Sequence, residues 1–161
     1  RRVLSDCHIA RNLLEDDTRV DLWRVHWVGA IALLRAVGHV LDKIDGIDPI
    51  TRRVSKEFFR LWKDARSSDH AIFREFIDSE RNLILKEYEF SVDLSSEIQL
   101  LTVGADGRVA ETFGVDQNIF RPLSDGPYAG EDARDTYDVA LQWWHEQLSA
   151  IDVAVRRAST K

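Results

Sequence analysis

Apolar residues return every three or four positions along most of the chain, and the breaks in that rhythm divide it into about five helical stretches. Val3, Cys7, Ala10 and Leu14 share one side of a first helix, about Val3 to Glu15. Asp16-Asp17-Thr18 interrupts it, and Thr18 with Asp21 three places on has the form of a capping box. A second helix, about Arg19 to Ile44, is apolar almost all round between Trp27 and Leu41, so it is expected to be the central, most buried one. Gly46 ends it. Asp48-Pro49, an acceptor followed by a residue with no N–H to satisfy, starts a third helix to about Ala65, with Val54, Phe58, Leu61, Trp62 and Ala65 inward. Ser67-Ser68-Asp69 caps a fourth, which carries Ile72, Phe73, Phe76, Ile77, Leu83 and Ile84 toward the core.

From Tyr88 the period changes from about four to two, because Tyr88, Phe90, Val92 and Leu94 alternate with polar residues. Ile98 to Val103 and Arg108 to Phe113, joined through Asp106-Gly107, predict a β-hairpin. Two strands alone are marginal, so the hairpin is expected to pack on the helices or on a partner. Residues 114–130, with Pro122 and Asp125-Gly126-Pro127, read as a long surface loop suited to a lid or contact role. A last helix, about Glu131 to Arg157, stacks Tyr137, Ala140, Leu141, Trp144, Leu148, Ile151 and Val155 on one face. The expected fold is therefore mainly α, one domain over residues 1–161. It is an up-and-down bundle of about five helices with a hairpin and loop insertion at about 97–130 before the last helix.

Composition narrows the function classes. A chain of 161 residues, 44% hydrophobic and 31% charged, can bury a core without disulfides or metals. Its single Cys7 fits a reducing cytoplasm. The most apolar run, Trp27 to Leu34, is followed by Arg35 and falls short of the ~20 residues of a membrane span, so no membrane partner is expected. The chain opens Arg1-Arg2 and has no methionine, so its natural start is expected to lie elsewhere. A net charge of −6 disfavours broad adhesion to nucleic acid, yet residues 51–66 carry six basic and two acidic side chains. On the third helix Arg52, Lys56, Arg60 and Lys63 form a stripe beside Phe59, which can stack a base. The bland alternative is a solvated face.

Five histidines, at positions 8, 26, 39, 70 and 145, show no His-x3-His or Glu-x-x-His spacing, so no metal or other cofactor is expected. His26 and His39, on so apolar a helix, read as hydrogen-bonded core residues. Trp144 belongs to the core face of the last helix. Trp143 lies about 100° round from it and reads as a dimer or inter-element contact.

Near the end of the fourth helix stands Arg81-Asn82-Leu83-Ile84-Leu85-Lys86-Glu87-Tyr88. This resembles the Arg-x4-His-x-Tyr signature of HEPN-type helical domains, with Lys86 where that family has histidine. The resemblance implies a paired bundle in which Arg81, Asn82, Lys86 and Tyr88 line a cleft. In the family, RNA is cut there without metal through attack by the ribose 2′-hydroxyl. Arg81 and Tyr88 share a helix face, whereas Lys86 lies about 140° from Arg81. Lysine, with an ordinary pKa of about 10.4, can hold a phosphate but is a poor base, so an active endoribonuclease is the lesser expectation. Some members work beside a nucleotidyltransferase that modifies the tyrosine, so Tyr88 is also a candidate acceptor. A homodimer, RNA and such a transferase are the partners implied. The rival readings are a non-catalytic interaction protein contacting through Trp143, the hairpin and the 114–130 loop, and a small-ligand bundle with a pocket beside His26 and His39.

Overall fold

The computed structural model of the chain describes residues 1–94, 99–104, 106–114 and 118–160. It is a mainly helical bundle of α1 (Arg2–Asp16), α2 (Val20–Lys43), α3 (Pro49–Lys63), α4 (Ser79–Glu87) and α5 (Ala133–Ser159). A two-stranded antiparallel sheet, β1 (Gln99–Val103) and β2 (Val109–Gly114), precedes α5. The expected order of elements is thus present. Helix α1 packs on α2 and α5, α3 packs on α5, and α4 packs on α2.

Local chemistry explains most boundaries. The Asp48 carboxylate accepts from the Thr51 N–H at 2.7 Å with Pro49 in the first turn, as the sequence implied. The capping box at Thr18 is not formed. Arg19 is the N-cap of α2, and its N–H is bonded instead by the Asp17 carboxylate at 3.1 Å. The segment Ile72–Asp78 leading into α4 is π-helical, widening the turn while Ile72, Phe73, Phe76 and Ile77 stay buried.

The core is strongly aromatic. Trp23 and Trp27 stack at 5.5 Å, and the Tyr137 hydroxyl reaches the carbonyls of Cys7 and Ala30 at 3.3 and 3.2 Å. A second cluster joins Trp62, Phe73, Trp143 and Trp144. Here one expectation is corrected: Trp143 is only 5% exposed, stacked on Phe73 at 5.4 Å, with its indole N–H 3.3 Å from His70 Nδ1. It is an inter-element contact, not an exposed dimer contact. The reason is that α5 is enclosed from two sides, by α1 on one and by α3 and the π-helical segment on the other, so its buried arc is wider than one stripe.

Further inward expectations fail: Leu61 is 54% exposed, Ala65 is exposed beyond the end of α3, and α2 leaves Gly29 and Ala32 uncovered. Helix α2 with the turn after it, Val20–Ile47, is long and apolar enough by length and composition to cross a membrane, contrary to the reading from its most apolar run, Trp27 to Leu34. In the bundle its Trp23, Trp27, Ile31, Leu34 and Leu41 are buried.

The hairpin forms with a bulge at Thr102/Val103, and Gly107 takes the left-handed conformation that the turn requires. Among the described residues its backbone approaches no helix. The expected start of its first strand, Ile98, lies outside the described residues. The 114–130 segment, where described, is pinned rather than a free lid. Arg121 is fully buried beneath Trp23, its guanidinium donating to the Leu94 carbonyl at 3.1 Å, and Leu123 pairs with Val92.

Candidate functional site: a groove between α2 and α4

Helix α4 is short and polar on two sides, so its side chains are distributed among different surroundings. Residues four apart share a face, and α4 accordingly sends Asn82 and Lys86 to one side, and Arg81 and Leu85 to another. Asn82 and Lys86 line a cleft of about 320 Å³ with Glu75, Glu80, Ser91 and Tyr128. Arg81 lines a groove of about 200 Å³ against α2, facing Arg35 and His39. The two sides are linked where Arg81 Nη1 donates to Asn82 Oδ1 at 2.8 Å.

Tyr88 joins neither. The helix ends at Glu87, and Tyr88 is its C-cap with φ +54°, a left-handed conformation unusual for a residue with a bulky side chain. Its ring is 63% exposed and meets Phe90 edge-on at 5.4 Å. The shared face expected for Arg81 and Tyr88 assumed one more helical residue than the chain makes.

The acid beside Arg81 has a separate role. Glu80 is 4% exposed, and its carboxylate accepts from Trp27 Nε1 at 2.8 Å, from the Ser91 N–H at 3.3 Å and from the Ser91 hydroxyl. It fastens the turn after α4 to α2. Arg81 is therefore not held by Glu80, nor by Asp78, which pairs with Arg35 Nε at 3.2 Å and with Lys63. Burial pushes the Asp78 carboxyl up, but the Lys63 hydrogen bond and the charges of Lys63, Arg35 and Arg81 outweigh it and hold the group below its ordinary value.

His39 is exposed, contrary to its reading as a core residue, and lines the same groove as Arg35 and Arg81. Partial desolvation, then the positive charges of Arg35 and Arg81, lower its pKa from the ordinary imidazole range, with Asp42 acting the other way. The shift favours the neutral imidazole, the form that accepts a proton, beside two guanidiniums. Arg35 and His39 stand one turn apart on α2, so helical spacing puts these two on one face. His26 stands apart, 3.2 Å from Asp17.

The basic stripe of α3 is broken up. Arg52 donates to the Gly46 carbonyl at 2.8 Å, and Lys63 is committed to Asp78 and lies 5.8 Å from the Phe59 ring centre. Phe59 packs edge-on against Trp62 and Phe73 while remaining 41% exposed. Lys56 faces a separate cavity toward α2, and Arg60 is exposed to solvent. Among the described residues no three His, Cys, Asp or Glu side chains converge as metal ligands. No family model, curated protein or solved structure matches the chain.

Proposed function

We propose that the chain is a HEPN-like helical module that holds an RNA phosphate in the groove between α2 and α4, through Arg81 and with the neutral His39 beside it. The observation that carries this reading is the meeting of a motif arginine with an imidazole from another helix, its neutral form favoured next to two guanidiniums. An arginine offers paired donors to phosphate oxygens, and a neutral imidazole is the group that can take a proton from a 2′-hydroxyl. Lys86, the residue standing at the motif's histidine, points to the other side of α4. Binding with little cleavage is the expected activity, in a role linked to RNA stress or defence.

A second copy would complete the groove. Leu85, which lines it, is 63% exposed, Val25 further along α2 is 56% exposed, and a side chain added at Gly29 would meet nothing within 4 Å. These favour a homodimer across α2 and α4 that encloses Arg81 and His39. Tyr88, exposed at the end of α4, is accessible to a modifying transferase. The rival reading, a non-catalytic interaction protein, loses Trp143 as a contact but keeps the hairpin.

Fluorescence anisotropy with a labelled single-stranded RNA tests the proposal. Arg81→Ala and His39→Ala are each expected to weaken binding about tenfold, a loss of about 1.4 kcal/mol, while Lys86→Ala leaves it nearly unchanged. Binding that ignores both changes but is abolished by charge reversal at Arg52 and Arg60 would move the RNA surface to α3. No RNA binding at low salt would remove the proposal.

A further inference from the structure

Between α2 and α3 lies a cavity of about 360 Å³, at the small end of the sizes that hold organic ligands. Gly38, Leu41, Phe59 and Trp62 give it apolar, largely aromatic walls. Ser55 also lines it, beside the buried Val54 of α3. Ser55 is 7% exposed, and its buried hydroxyl makes no hydrogen bond with any described residue. The usual escape for a serine inside a helix, bonding back to the carbonyl four residues earlier, is not taken. A buried hydroxyl left alone costs about 1–3 kcal/mol, and alanine would fill the same place with better helix propensity. The cavity therefore presents one hydrogen-bonding group that the fold itself does not use.

The rim is basic. Lys43, Lys56 and Arg35 line it against a single acid, Asp42, with His39 beside them. Asp42 is paired with Lys43 at 3.1 Å, and Arg35 with Asp78, whereas Lys56 makes no hydrogen bond or ion pair with any described residue. An apolar interior, a hydrogen-bonding floor and a positive rim complement one kind of molecule: a planar apolar body with an anionic group at one end. We propose that this cavity binds a small aromatic anion, its ring against the wall formed by Phe59 and Trp62, a polar ring substituent or edge at Ser55, and its carboxylate or phosphate at Lys56 and Lys43. The cavity adjoins the Arg81 groove, sharing Arg35 and His39 with it, but its anion is placed at Lys56 and Lys43 and its binding does not depend on RNA.

Calorimetric titration of the intact chain with 2-naphthoate, 2-naphthyl phosphate and the neutral 2-naphthamide tests it. One anion per chain is expected to bind, with the amide about tenfold weaker, and the better of the two anions identifies the headgroup. Lys43→Glu with Lys56→Glu, both at exposed positions, should weaken the anions about tenfold and leave the amide little changed. Ser55→Ala should weaken all three ligands and at the same time raise the melting temperature of the ligand-free protein, the opposite of a structural serine. Failure of both anions to bind would overturn the proposal. So would equal affinity for the amide, or binding indifferent to both sets of substitutions.

Discussion

The Trp27 indole N–H donates to the Glu80 carboxylate at 2.8 Å, and this bond joins α2 to α4 in the interior of the bundle. Because Ser91 donates to the same carboxylate twice, Glu80 also fixes the turn that follows α4. Glu80→Ala leaves these donors buried without an acceptor and is expected to cost about 1–3 kcal/mol, measured by urea denaturation. Glu80→Gln, which keeps an acceptor oxygen, should cost less. Equal stability of all three proteins would show that the carboxylate does not hold the two helices.

Trp143→Ala is expected to behave as a core truncation, losing about 3–5 kcal/mol, because the side chain is enclosed by Phe73, Trp62 and Trp144. Thermal denaturation with light scattering separates the two readings of this residue. A variant of normal stability but altered oligomeric state would restore Trp143 to an interface.

The sequence pattern located the helices because each buries a stripe at the helical period, and because Asp48-Pro49 supplies a real cap. It could not disclose the π-helical segment, since Ile72, Phe73, Phe76 and Ile77 suit either helical winding. Trp143 was misplaced for a different reason: a helical wheel assigns one core face, and α5 is covered on two. The candidate site was half legible. Arg81 was visible through its motif, but its partner lies forty-two positions earlier, on another helix, and only the packing of α2 on α4 brings His39 to it. The orphaned hydroxyl of Ser55 carries no signal in sequence at all, because its character depends on what surrounds it.

Acid sensitivity should pass through Asp78. Its folded pKa lies below the ordinary carboxylate value, so its contribution is complete above the unfolded pKa of about 3.9 and is lost as pH falls through the folded value. Asp78→Asn should be less stable than the unaltered chain at neutral pH, with the difference shrinking in that acid window. A difference that is constant with pH would show that the Arg35 and Lys63 pairing is not responsible.

Tyr88→Gly should be neutral or stabilising by up to about 1 kcal/mol, since glycine adopts the left-handed C-cap without a Cβ penalty and the ring is mostly exposed. Chemical denaturation checks this. A clear loss of stability would mean that the Tyr88–Phe90 contact matters more than the backbone.

The account rests on Arg81 acting with His39 and not with Lys86, and a pair of double-mutant cycles on RNA affinity measures that directly. Arg81→Ala with His39→Ala should show a coupling of at least about 0.5 kcal/mol, whereas Arg81→Ala with Lys86→Ala should be additive. Additivity in the first cycle with coupling in the second would contradict the assignment and return the site to the linear motif.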